Sequence, residues 1–425
     1  MGKSLSLQAP TNHPLCMQKT AKPPLRPGIG AHSNKSLLMS LRPDFSPCRA
    51  VTAASPVFSY SEIMKPEQKN LLSRRQLLAG LGLTASALTG AGLLSEIDFD
   101  SLMYDPKKKH SDSDLLVPLF YSKGYNISAF GLEKLHPFDG SKYQKIYNAI
   151  KKSGLRNAED FARPHEMTTE QLMVVHTAEY LSSLGNGTVL SKILEVGPLR
   201  VVPAALIDWR ILKPMRLAAG GTLETCRAAV KHGLAINVGG GYHHADYDEG
   251  GGFCVYCDGP IAIKILCKEG LIKRALIVDT DAHQGNGFAN VARDESALFV
   301  LDFFDESIYP WPKVREDWSV AFPAKTDGHT YLANLKRILP EAIEKFKPDF
   351  IFYNAGSDVL ASDPLSTFLL RVEDMNERDA FVVETARRNS IALAMVLAGG
   401  YGPESARAHT QSIELILRRF DGQTS

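Results

Sequence analysis

A run of five residues in the middle of the chain, Asp279-Thr280-Asp281-Ala282-His283, closes the apolar stretch Ala275-Leu276-Ile277-Val278, which reads as a buried strand. Asp281 and His283 lie two apart, so in an extended segment their side chains point the same way and can meet at one metal ion. Two further polar clusters, Tyr242-His243-His244 and Gly356-Ser357-Asp358, also follow apolar strands. Asp281, His283 and Asp358 together offer a carboxylate, an imidazole and a carboxylate. Three protein ligands with a fourth position open for water is the pattern of a catalytic zinc site. Such a metal lowers the pKa of its water toward about 7 and polarises a carbonyl, so the expectation is a zinc hydrolase.

Other residues could complete that chemistry. His243 and His244 are adjacent, so one can face the pocket while the other supports it, or both can line it from a turn. A histidine beside metal-activated water is a natural general base. Asp279 is the candidate to orient one ring and raise its basicity. Tyr401, after Gly399-Gly400, has a phenol able to donate to a developing oxyanion, or is an aromatic plug on a turn. Gly250-Gly251-Gly252-Phe253 suits a narrow channel with an aromatic wall, or a flexible turn. Cys254 and Cys257 form a lone C-x-x-C, read as a loop and helix start with one Cys packed inward.

These residues need elements to hold them. From Val117 onward apolar strands alternate with helical periods. Strands are expected at Val117–Tyr121, Leu234–Val238, Ala275–Val278, Leu298–Phe303, Phe350–Tyr353 and Ala392–Leu397. Helices are expected at Ser141–Lys152, Thr169–His176, Lys213–His232, Asp258–Glu269, Tyr331–Lys345, Asp374–Arg388 and Pro403–Arg418. Gly220-Gly221 should loosen or bend the third of these helices. The alternation implies an α/β protein with an open, mostly parallel sheet and helices on both faces. Ligand sites in such sheets form outside the carboxyl ends of the strands, where Gly239–His244, Asp279–His283, Asn354–Asp358 and Ala398–Tyr401 all fall.

The chain has 425 residues, with 48 Lys and Arg against 47 Asp and Glu. That balance gives no argument for a nucleic-acid-binding surface. Six cysteines in this length do not make a disulfide scaffold. Four regions are expected: a transit-like or disordered leader (1–72), a signal or anchor (73–95), a linker (96–114) and one catalytic domain (115–425). Up to Ser61 the leader has Asp44 as its only acidic residue, against seven Lys and Arg. Arg74-Arg75 before the Gly/Ala-rich run Ala79–Leu94 resembles a twin-arginine export signal. Two histories fit: a plastid transit peptide followed by a lumen-targeting signal, or a start at Met64 with a bacterial signal. An uncleaved membrane anchor is a further reading of 73–95, with contact to a membrane or the export machinery. An organellar or exported location is therefore expected, with nucleus or cytoplasm as the alternative.

The folded part resembles the zinc-dependent histone deacetylase family, and most closely its class IV branch. The resemblance rests on Gly239-Gly240-Gly241-Tyr242-His243-His244-Ala245, Gly252-Phe253-Cys254, Asp279-Thr280-Asp281-Ala282-His283-Gln284-Gly285-Asn286-Gly287, Gly356-Ser357-Asp358 and Ala398-Gly399-Gly400-Tyr401. Tyr125-Asn126-Ile127 and Gly131–Asp139 look like the class IV entrance loop, and His176–Leu181 also matches. The resemblance implies the arginase/deacetylase fold and hydrolysis of the amide of an acylated lysine. By motif, Asp281, His283 and Asp358 would bind one zinc, His244 would be the general base, and His243 its electrostatic partner held by Asp279. Tyr401 would polarise the acyl carbonyl. Gly252 and Phe253 would line the acyl-lysine tunnel, with Tyr309 a candidate for the opposite wall. Family members often hold a structural potassium ion near the Asp279 segment.

Two positions depart from the wider family: Gln284 stands for a common His, and Asn286 for an Asp that orients one catalytic histidine. Both look like class IV usage and weaken one His–Asp dyad. Class IV relatives favour long fatty acyl groups over acetyl. The expected partner is therefore an acylated lysine of a protein. A small acylated amine such as an acetylpolyamine, and a catalytically weak acyl-lysine-binding scaffold, are the alternatives. A two-metal ureohydrolase is disfavoured, because Gln284-Gly285-Asn286 lacks the further carboxylate that a second metal needs.

Overall fold

A computed structural model describes residues 117–127 and 137–421. The expected leader, signal and linker, and Gly131–His136 of the expected entrance loop, lie outside the described residues. Among the described residues no helix is long and apolar enough to cross a membrane.

Eight strands form one sheet: β1 (Leu119–Phe120), β2 (Phe161–Ala162), β3 (Leu234–Asn237), β4 (Ala275–Asp279), β5 (Leu298–Asp305), β6 (Trp318–Phe322), β7 (Phe350–Asn354) and β8 (Ala392–Val396). Their order is β2-β1-β3-β8-β7-β4-β5-β6, and every ladder between them is parallel. The helices between them are α1 (Lys142–Lys152), α2 (Thr169–Leu172), α3 (Ala178–Ser183), α4 (Gly187–Ile193), α5 (Ala204–Ile207), α6 (Lys213–His232), α7 (Asp258–Lys268), α8 (Asn286–Ala292), α9 (Gly328–Phe346), α10 (Val372–Arg388) and α11 (Ser405–Phe420).

The central strands are apolar up to their carboxyl-terminal residues because both faces are covered. Their side chains alternate between two cores. Leu276, Val278, Ile351 and Tyr353 join one core with Leu335 and Leu339 of α9, Val382 of α10 and Ile413 of α11. Ala275, Ile277, Phe350 and Phe352 join the other with Met215 and Leu223 of α6, Ile261 of α7 and Phe288 of α8. This is the open α/β arrangement with helices on both faces expected from the alternation of strands and helices, with the sheet wholly parallel.

Two local expectations change. The helix expected over Thr169–His176 stops at Leu172. The helix that carries the glycine pair, α6, runs continuously through it to His232 and ends at left-handed Gly233. A Cβ at Gly220 would collide with the His165 carbonyl and one at Gly221 with the Tyr125 hydroxyl, so these glycines permit close packing. The edge strands β2 and β6 were not expected: β2 has two residues, and β6 buries only Phe322, with Trp318 and Val320 half-buried.

Candidate active site

The four central neighbours in the sheet are β3, β8, β7 and β4. Their carboxyl ends lie side by side, which brings four segments distant in sequence to one crevice. After β3 the chain turns through Gly240 and Gly241 at φ 75° and 91°. Asp258, the first residue of α7, is wholly buried and accepts hydrogen bonds from Gly241 N–H and Tyr242 N–H, both at 2.8 Å. Thr222 Oγ1 donates to the same carboxylate at 2.6 Å. A Cβ at Gly241 would collide with Asn354 Oδ1 and with Ala398, so only glycine lets the loop pass.

This turn presents His243 and His244, whose ring centroids are 4.1 Å apart. His243 Nδ1 lies 2.9 Å from Asp279 Oδ2. Asn354 Nδ2 and Asp281 N–H donate to the other Asp279 oxygen at 2.9 and 3.1 Å. Burial pulls the His243 pKa down, but the Asp279 and Asp281 carboxylates outweigh it and lift it to about 9. His244 Nδ1 lies 2.6 Å from Asn286 Oδ1. Burial, with His243 and His283 close by, holds its pKa well below the usual histidine range.

Asp281, His283 and Asp358 come together as the spacing led us to expect: one potential ligand atom from each lies within 4.8 Å of the others. All three are buried. His283 Nδ1 stands 2.8 Å from Asp358 Oδ2 and 3.2 Å from Asp281 Oδ1. The outward-facing oxygens are held as well: Ala282 N–H donates to Asp358 Oδ1 at 2.8 Å and Gly399 N–H to Asp281 Oδ2 at 2.9 Å. Burial beside Asp281 raises the Asp358 carboxyl to about 8, and the two carboxylates outweigh burial to raise His283 to about 10. Two buried carboxylates and an imidazole converging this closely hold protons that a divalent cation can replace. A Cβ at Gly356 or Gly399 would collide with Asp281 Oδ2, so the chain keeps the cradle clear. The donor set fits a divalent zinc ion in a three-ligand site.

Tyr401 sits across from these groups, its ring 6.5 Å from His283 and 5.7 Å from Phe253. Asp363 accepts from Tyr401 N–H at 2.7 Å and Gly402 N–H at 2.9 Å, which fixes the turn. Burial beside Asp281 and Asp358 raises the Tyr401 phenol well above its ordinary value, so it stays protonated. Lys142 of α1, 1 % exposed, donates to the Ala398 and Gly399 carbonyls at 2.9 and 3.1 Å. Burial lowers its pKa to about 8.

A cavity of about 890 Å³, counting its open mouth, reaches from Asp281 and His243 past Gly252 and Phe253. Its far walls are apolar, with Ile127, Phe138, Leu194, Leu199, Ile211 and Met215. Phe253 holds a left-handed φ of 69°, an uncommon conformation for a side-chain-bearing residue and one that clusters at functional sites. Tyr309 packs edge-on to His244 at 4.9 Å and is 40 % exposed, placing it at the rim beside the base. Both cysteines of the C-x-x-C are buried, where one had been expected inward, and Cys254 lines the cavity. Sequence reasoning missed Asp258, Asp363, Lys142 and the wall from Leu194 to Met215. Asp258 carried one faint signal, an acidic residue opening a helix.

The histone deacetylase domain family matches residues 136–416 of the chain. Histone deacetylase 2 of Arabidopsis thaliana is 36% identical over 306 residues, 71% of this chain and 79% of that protein. A probable deacetylase of Methanothermobacter thermautotrophicus is 29% identical over 221 residues, 49% of this chain and 65% of that protein. The crystal structure of the HDA15 HD domain superposes with a TM-score of 0.59 at 20% identity, covering 72% of this chain and 91% of that one.

Proposed function

The chain belongs to the histone deacetylase family, and we propose that it is a zinc-dependent lysine deacylase of the class IV type that favours long acyl chains. The observation that carries this reading is the convergence of Asp281, His283 and Asp358 beside His243, His244 and Tyr401, with Asp281, His243 and Tyr401 lining one largely apolar cavity. Zinc held by the first three residues would supply the Lewis acidity that makes water nucleophilic near neutral pH and polarises the acyl carbonyl.

The chain's own groups do the rest. His244 stays neutral because burial disfavours its charged form. With Asn286 Oδ1 accepting from Nδ1–H, its Nε2 is free to take the proton of the attacking water. The same ring can return that proton to the leaving lysine amine. Asn286 is neutral, so it orients the ring and adds less stabilisation to its charged form than a carboxylate would. His243, tied to Asp279 and pushed toward its charged form by that carboxylate, favours negative charge developing beside it. The Tyr401 phenol donates to the oxyanion as the amide carbonyl becomes tetrahedral.

Gln284 and Asn286 support the class IV assignment, and the apolar walls beyond Phe253 support a long acyl group. Asp302 lies opposite Asp279 in the β4–β5 register and is wholly buried. It is the residue we assign to a structural potassium ion beside the Asp279 segment. The test is an acyl-lysine peptide series from acetyl to myristoyl, run on protein assayed for metal. We expect one zinc per chain and turnover that rises with chain length; Asp281→Ala should lose both metal and turnover. Metal-free protein with undiminished turnover would overturn the zinc reading, and an acetyl optimum the long-chain one. Faster turnover of free acylated amines than of peptides would replace the protein substrate by a small molecule.

A further inference from the structure

Arg378 lies on α10, outside every motif considered so far, and is wholly buried. One of its nitrogens, Nη1, donates to the Thr280 carbonyl at 2.9 Å and to the Gly356 carbonyl at 2.7 Å. Thr280 immediately precedes the ligand Asp281, and Gly356 lies two residues before the ligand Asp358. One nitrogen with two hydrogens therefore fixes the spacing of the two loops that carry all three converging groups. The far end of the guanidinium is anchored in turn: Nε donates to Asp379 Oδ1 at 2.9 Å, and the two side chains form a wholly buried ion pair. Tyr353 Oη donates to that oxygen at 2.5 Å, and Ser412 Oγ to Asp379 Oδ2 at 2.6 Å. Tyr353 belongs to β7, Ser412 to α11.

We propose that Arg378 is a positioning residue that clamps the loops after β4 and β7 at the separation a metal ion requires. The proposal rests on the zinc reading given above. A buried charge costs several kcal/mol unless it is paired and hydrogen-bonded. The core could pack a neutral residue here if filling space were the only need. What the guanidinium adds is a rigid planar fork that serves one carboxylate and two carbonyls together. A lysine ammonium concentrates its donors on a single atom and cannot span both ends. Groups that orient the residues around a metal typically change its affinity by about 10–100-fold when removed.

The experiment measures zinc affinity of the full chain by chelator competition, together with the visible absorption spectrum of the cobalt-substituted protein. Arg378→Met should bind zinc about 100-fold more weakly and show an altered cobalt spectrum, with Arg378→Lys recovering part of the loss. Arg156→Lys is the control, because that buried arginine pairs with Asp421 and touches neither loop; its affinity should match the parent protein. If Arg378→Met does not fold, Arg378→Lys and Asp379→Asn decide, each with an expected loss of about tenfold. Unchanged affinity and an unchanged cobalt spectrum in the folded Arg378 variants would overturn the clamp while leaving the zinc reading intact. Failure of the parent protein to bind zinc would overturn both.

Discussion

His243 and His244 are consecutive residues with touching rings, and their surroundings push them in opposite directions. Two carboxylates keep the first charged, while burial and that neighbouring charge keep the second neutral. Pairs of titratable groups driven apart in this way commonly divide acid and base roles. Tyr401 adds a donor that burial keeps protonated. Tyr401→Phe removes a single oxygen and leaves Asp281, His283 and Asp358 in place. It should keep its zinc and lose about 10²–10³-fold in kcat, the usual cost of one oxyanion donor. Metal analysis and turnover on one acyl-lysine peptide check this, and undiminished kcat would remove Tyr401 from the mechanism. The types and spacing of these residues were readable from the chain. Their protonation states were not, because each depends on charges brought in from β4 and β7.

At the scale of elements, the site hangs on loops that distant side chains tie down. His176 shows how this couples to pH. Its Nε2 accepts from Cys257 N–H at 2.9 Å, just ahead of α7, whose first residue Asp258 holds the His243 turn. Burial lowers its pKa from 6.5 to about 4. The unfolded chain therefore takes up a proton between pH 6.5 and 4 that the folded chain refuses, and stability from this group is complete above 6.5 and lost as pH falls through that window. The loss amounts to roughly 3 kcal/mol at most. Denaturant titrations across the window should show it. His176→Leu should flatten that dependence while costing about 1–3 kcal/mol at neutral pH for the unsatisfied Cys257 N–H. An unchanged slope in the variant would assign the pH dependence elsewhere.

For the whole molecule, the sheet order decides the outcome. β3, β8, β7 and β4 are neighbours in space although the chain visits them as third, eighth, seventh and fourth. A metal ion at the converging groups would link the ends of β4 and β7 directly, and β8 through Gly399 N–H. Binding should therefore stabilise the entire α/β unit. At a hundredfold excess over Kd, zinc is expected to add about 2.7 kcal/mol, a rise of several degrees in Tm. Thermal melts with zinc, with a chelator and after zinc is restored test this. A Tm indifferent to all three would mean that the groups hold no ion in the folded protein.

The strand and helix pattern was legible because the central strands are apolar up to their last residues and the long helices keep a clear period. β2 and β6 escaped notice because an edge strand buries too little to leave that signature. The carboxylates, the histidines and Tyr401 stood out because polar residues at apolar strand ends are conspicuous. Asp258, Asp363 and Arg378 did not, because each acts on backbone groups far away in sequence, and no local spacing records such a contact. By itself the sequence determined the fold class and which residue types stand at the strand ends. Only the tertiary structure decided which atoms meet, which charges each ring faces and how far the apolar cavity runs, since these follow from parallel strands placed side by side out of chain order.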